Sequence, residues 1–137
     1  MAFRAITNES GKRVLLPAKA SVVFTKGDAI LNTSGYADIQ TSGSNIDSYY
    51  IADETVTASA TDGATLVACI PVDGVRFEVD TSNTPTAAQQ GVDVDFSAAG
   101  TVDTSAVTDQ VFHVEKMVLP LSSKKAIGFF VRGAPNA

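Results

Sequence analysis

The sequence has no tryptophan, one cysteine, one histidine and only 18 % charged residues in 137. A single thiol, Cys69, cannot form an internal disulfide. With His113 as the one imidazole, the multi-ligand Cys/His zinc sites are excluded as well. The lack of tryptophan, with only three tyrosines, removes most of the aromatic platform on which sugars are usually bound. No apolar run approaches the ~18 residues that span a bilayer, so no membrane partner is expected. Residues 1–16 are broken by Arg4, Asn8, Glu9, Lys12 and Arg13 and lack the continuous apolar stretch of an export signal. Helical periodicity is nearly absent.

What remains is apolar and β-branched. Hydrophobic residues make up 45 % of the chain, enough to build a core and too many for a disordered segment. A chain of this length is expected to form one domain around one core, hiding roughly two thirds of its unfolded surface. Short alternating segments follow one another between clusters of Gly, Pro, Asn, Asp and Ser. This pattern predicts an all-β fold: a single-domain β-sandwich or β-barrel of short antiparallel strands. Residues 20–137 are read as that β domain, and residues 1–19 as a basic N-terminal arm or an edge strand.

Several strands can be assigned faces from their period of two. Val75, Phe77 and Val79 should point inward, with Arg76, Glu78 and Asp80 in solvent. Val92, Val94 and Phe96 should point inward, with Asp93 and Asp95 outward. Ile127, Phe129 and Val131 share one face, and Gly128 and Phe130 the other, where Phe130 would be covered by a neighbouring sheet or chain. Residues 111–119 are apolar on both parities, which implies a bulge or a strand buried on both sides.

Turn chemistry extends the picture. Asp62-Gly63 is placed to join 55–60 and 65–70 in a hairpin. Pro71 ends the second of these strands, and Asp73-Gly74 turns it into the next, as in a meander. Thr33-Ser34-Gly35 should turn 29–31 into 36–39. One short helical turn is expected near 85–90, capped by Thr84, started by Pro85 and closed by Gly91.

Charge is segregated along the chain. Residues 28–115 hold fourteen of the fifteen acids and one of the ten cations, Arg76, for a segment charge of −13; the two ends together carry +8. Either the basic ends meet an acidic partner, or these cations pair with the acids when the chain folds. With a pI of about 4.6, phosphate binding is disfavoured and no nucleic-acid partner is expected.

Catalytic constellations are not apparent. His113 sits within an apolar strand pattern, and no Gly-x-Ser-x-Gly elbow accompanies it. Cys69, between Ala68 and Ile70, reads as a small buried hydrophobe. Asp93 and Asp95 lack the loop and distal glutamate of a calcium site and read as a solvated strand face. No cofactor or metal is expected, and no enzyme.

The run Val14-Leu15-Leu16-Pro17 through Val22-Val23-Phe24-Thr25-Lys26-Gly27-Asp28-Ala29-Ile30-Leu31 resembles the opening of small tailed-phage capsid decoration, or cement, proteins. Gln90-Gly91-Val92-Asp93-Val94-Asp95-Phe96 and the closing segments 112–117 and 126–131 are similar to small phage virion β-proteins. The resemblance implies a non-enzymatic virion protein on the outer capsid surface, a homotrimer that clamps copies of the major capsid protein. On that view Arg4, Lys12, Arg13, Lys19 and Lys26 are the candidates for capsid docking, and His113 and Phe130 for the contact between copies. Deleting residues 1–13 would then leave a folded body that binds capsid poorly. A different class of function is a small carbohydrate-binding or adhesive module of a phage particle, using Tyr36, Tyr49 and Tyr50.

Overall fold

The computed structural model describes residues 2–7, 13–40, 50–72 and 74–131. Thirteen short strands occur among them: β1 (Phe3–Thr7), β2 (Val14–Pro17), β3 (Val23–Phe24), β4 (Ala29–Thr33), β5 (Tyr36–Ile39), β6 (Tyr50–Ala52), β7 (Val56–Thr57), β8 (Leu66–Pro71), β9 (Arg76–Thr81), β10 (Asp93–Ala98), β11 (Thr101–Asp103), β12 (Phe112–Met117) and β13 (Lys125–Phe130). The protein is all-β, as its patterning predicts. Its helical content is two single turns, Ala87–Gln89 and Leu121–Ser123.

The C-terminal strands form a closed barrel. Its sheet runs β1-β9-β11-β10-β12-β13, and β13 pairs back onto β9, so five strands complete the ring while β1 lies beside it on β9. All pairings are antiparallel except that of β11 with β9. The N-terminal strands form a second sheet, β2-β8-β6-β4-β5, which curls until Ala18 bridges to Ala37. A two-stranded ribbon, β3 with β7, completes this half.

Two core clusters occur where the sequence suggested one. The larger fills the barrel with Phe3, Phe77, Phe96, Phe112 and aliphatic neighbours; the smaller gathers Phe24, Ile30, Val67 and Cys69 with several alanines. Strand alternation joins them. Ala29, Ile51 and Ile70 face the barrel cluster, while their neighbours Ile30, Ala52 and Cys69 face the smaller one. Such segments are buried on both faces, which is why they are apolar on both parities.

The N-terminal segment belongs to this core. Phe3 is 3 % exposed, and its ring meets Phe77, Phe96, Phe112 and Phe130. Its N–H donates to the Gly27 carbonyl at 3.0 Å. Gly27 has φ +96°, and a Cβ there would overlap Ala2, so the turn accepts only glycine at this crossing. Deleting residues 1–13 would take Phe3 out of this core, so such a deletion is now expected to weaken the body as well as any binding.

Other local expectations divide. The hairpin at Thr33-Ser34-Gly35 forms, with φ of 52° at Ser34 and 89° at Gly35, the pair of positive angles a tight two-residue turn needs. The 55–60/65–70 hairpin does not: β7 pairs with β3, and β8 with β2 and β6. Asp62 instead accepts the Ala20 N–H at 2.7 Å. Nor is there a meander from β8 to β9, because these strands lie in different sheets. Of that turn, Asp73 lies outside the described residues. The helical turn starts at Thr86 rather than Thr84, with Gln89 Oε1 accepting the Thr86 N–H at 3.0 Å. The apolar run in β12 contains a bulge, where the register against β13 shifts between Val114 and Lys116.

Two carboxylates expected in solvent are buried. Asp95 accepts backbone N–H groups from Thr108, Asp109 and Gln110 at 3.1, 2.7 and 2.8 Å, and so pins the 104–110 loop. Asp80 accepts from the Arg4 guanidinium at 3.2 Å, Lys125 Nζ at 2.8 Å and the Ala2 N–H at 3.1 Å. Burial alone would raise the pKa of Asp80, but these donors outweigh it and hold the carboxyl well below the usual range.

Candidate functional site

The cations singled out for docking separate into distinct places. Arg4 is held by Asp80 and also by Glu78 at 2.9 Å, so it anchors β1 to β9 and is not free to meet a partner. Lys26, on the exposed turn between β3 and β4, lines a hollow of about 470 Å³ shared with Arg4, Phe3, Ile51 and Asp53. Lys12 lies outside the described residues. Arg13 and Lys19 flank β2.

Strand β2 brings the last two together with apolar side chains. Alternation places Arg13, Leu15, Pro17 and Lys19 along one side, and Leu15 is 64 % exposed. Pro17 pairs with Leu66 of β8, which is 51 % exposed, while Leu16 and Val67 pair on the opposite parity. Proline suits the position because β2 lies at the end of its sheet's strand order, where a missing N–H costs no ladder bond. The result is a strip with two leucines and a proline between two cations.

Both cations already have acidic neighbours. Arg13 Nε lies 2.6 Å from Asp53 and Lys19 Nζ 3.6 Å from Asp38. These ion pairs are exposed on the cation side and worth at most about 1 kcal/mol each. A partner carboxylate can therefore replace either at little cost. The leucines are different, because water contact with them is unfavourable until something covers them. The sequence marked Arg13 and Lys19 only as cations; their alignment with Leu15, and the pairing of Leu66 opposite Pro17, come from the fold.

The second candidate surface is the outside of the barrel. His113 faces Asp93 across β10 and Phe129 across β13. Its Nδ1 is 2.6 Å from Asp93 Oδ1, and its ring stacks on Phe129 with centroids 4.9 Å apart. Phe130 is on the other parity and packs inside its own chain, 4.9 Å from Phe3 and 5.3 Å from Phe112 between centroids. The expectation that Phe130 meets another copy is thus corrected in one respect: its ring is covered by its own chain, and the exposed phenylalanine of β13 is Phe129, at 38 %. Gly128, which precedes Phe129 and pairs with Val114, has no room for a side chain, because a Cβ would overlap the His113 carbonyl.

The remaining candidates are quiet. Burial, aided by Glu54 and Asp53, pushes the Cys69 thiol up to about 12, so it is protonated at neutral pH. Among the described residues no group of three metal-ligating side chains occurs. Tyr36 and Tyr50 line one hollow with Leu16 and Ile30, but its volume of about 100 Å³ is well below the roughly 300–1,000 Å³ of a ligand site. Tyr49 lies outside the described residues. No helix among the described residues is long and apolar enough to cross a membrane. No protein-family model, curated protein or solved structure matches this chain.

Proposed function

We propose that the protein is a non-enzymatic structural component of a phage particle that binds the outer surface of the capsid and stabilises it. The observation that supports this most is the β2 strip, with Leu15 and Leu66 exposed between Arg13 and Lys19. Large apolar groups grouped on a rigid sheet and rimmed by charge mark a protein-binding surface. The resemblance of 14–31 to decoration proteins supplies the partner, the major capsid protein, and the expected trimer.

The physical logic is that of a clamp. Burying Leu15 and Leu66 against the shell is worth about 2–3 kcal/mol, and exchangeable ion pairs at Arg13 and Lys19 set orientation more than strength. A single contact of this kind is weak. Copies joined to one another engage a repeating lattice together, and the linked contacts hold far more tightly than one.

Co-sedimentation with capsids lacking the protein tests this. The wild-type chain should pellet with the shells, and Leu15→Asp/Leu66→Asp should bind roughly 30–150-fold more weakly per site. Equal pelleting by a folded double variant would remove the strip from the mechanism. The reading as a carbohydrate-binding module has less support, since its two described tyrosines share only the small hollow beside Leu16.

A further inference from the structure

We infer that the hollow between β1 and β6 captures the C-terminal end of a partner polypeptide, which adds as a short strand along β1. The inference goes beyond the capsid-docking strip and does not depend on it.

Strand β1 has one open edge. It lies at the end of its sheet's strand order and, among the described residues, pairs with β9 alone. The Phe3 N–H points away from β9, since it donates to the Gly27 carbonyl at 3.0 Å. Backbone groups of successive strand residues alternate between the two edges, so those of Ala5 point the same way as those of Phe3. Among the described residues no backbone group meets the Ala5 N–H. An unpaired edge of this kind is what an added strand uses.

The edge opens onto a space that suits apolar side chains. The hollow of about 470 Å³ beside it has Phe3, Ile51, Ala52 and Ile70 as buried walls, and its volume falls in the roughly 300–1,000 Å³ range of ligand sites. Ala5 shares the parity of Phe3, which faces the core, yet Ala5 is exposed. A position patterned for burial is therefore left uncovered, and an apolar side chain of an added strand would cover it.

Two features make the occupant a chain end with a carboxylate. The Lys26-Gly27 turn closes the edge at Phe3: Gly27 takes the Phe3 N–H, and its approach to Ala2 leaves no room even for a Cβ. A strand laid along β1 cannot continue past that point. Charge selects which terminus stops there. Of the three ionised side chains lining the hollow, Arg4 is held by Asp80 and Glu78, and Asp53 by Arg13 at 2.6 Å. Lys26 meets no carboxylate among the described residues. A terminal carboxylate is thus attracted to this end and a terminal ammonium repelled. The added strand runs antiparallel to β1, with its last apolar side chain in the hollow and its carboxylate at Lys26.

Fluorescence polarisation of labelled hexapeptides tests this. The probes alternate threonine and valine, end in valine, leucine or phenylalanine, and are made both as the free acid and as the C-terminal amide. At least one free acid should bind the full chain with Kd below about 1 mM, and its amide more weakly by about tenfold. Lys26→Glu, on an exposed turn, should weaken the free acid by about tenfold or more and leave the amide little changed. Ala5→Pro removes the N–H offered to the added strand without taking a bond from β9. It should abolish binding while Tm stays within about 4 °C of the wild type. No binding by any free acid, equal binding of acid and amide, or free-acid binding that survives Lys26→Glu or a folded Ala5→Pro would each overturn the inference. Should Ala5→Pro unfold, the Lys26→Glu comparison decides alone.

Discussion

Phe3→Ala is the substitution on which the role of the N-terminal segment turns. The Phe3 ring has centroids 6.2, 5.9, 5.6 and 4.9 Å from those of Phe77, Phe96, Phe112 and Phe130, and the residue is 3 % exposed. Truncating a buried phenylalanine costs about 3–5 kcal/mol, because the cavity left behind collapses only in part. That is a large share of the ~5–15 kcal/mol that holds a domain together. An unfolding entropy of about 2.1 cal/mol/K per residue over 137 residues gives about 0.29 kcal/mol/K, so a loss of 4 kcal/mol lowers Tm by roughly 14 °C. Calorimetry and urea titration of the wild type and the variant measure the drop independently. A fall of less than about 4 °C would mean that β1 is a dispensable arm and that the barrel core closes without it.

Asp80 and Cys69 give further checks. Asp80→Asn weakens the acceptor shared by Arg4 and Lys125, and should destabilise the fold by about 1.5–3 kcal/mol at pH 7, since charge-assisted bonds to a buried carboxylate are lost while both cations stay partly in water and Arg4 keeps Glu78. The pKa of Asp80 is lower in the folded chain than in the unfolded one; its contribution is therefore full above the unfolded value of about 3.9 and is lost as pH falls below it. Urea midpoints should decline less steeply below about pH 4 in the asparagine variant than in the wild type, and parallel declines would contradict the assignment. Cys69, buried and with its thiol raised to about 12, should resist iodoacetamide in the native protein and react at once in denaturant; rapid native labelling would show that β8 opens readily.

Much of the fold was legible in the residues, for reasons that also mark where legibility stopped. The alternation of Phe77 and Val79 with Arg76 and Glu78 reports a half-buried strand because strand side chains alternate strictly. Ser34-Gly35 reports a tight turn because few residue pairs accept two positive φ angles. Parity alone did not say which side of β13 faces the core: Phe129 and Phe130 are equally apolar, and what decides is Phe3, more than a hundred residues away in sequence, filling the space beside Phe130. Asp80 and Asp95 were misplaced for the same reason, since their donors come from β1, β13 and the 104–110 loop. The hairpin expected at Asp62-Gly63 failed because β8 found better partners in β2 and β6, a choice made by the whole sheet.

The candidate site follows the same division. Arg13 and Lys19 were visible as cations, but that they share one side of a strand with Leu15 emerges only from the pairing of β2 with β8. That Arg4 is spent on Asp80 and Glu78 depends on the tertiary pairing of β1 with β9. The segregation of charge along the sequence is largely a record of such pairings: Arg4, Arg13, Lys19 and Lys125 each meet an acid from the middle of the chain.

The proposed docking on a capsid is decided by electron cryo-microscopy of particles purified from cells that produce this chain. Density for this chain is expected on the outer shell, with the Arg13, Leu15, Pro17 and Lys19 side of β2 and Leu66 turned toward the capsid. Particles without this density, or with that strip facing solvent, would contradict it.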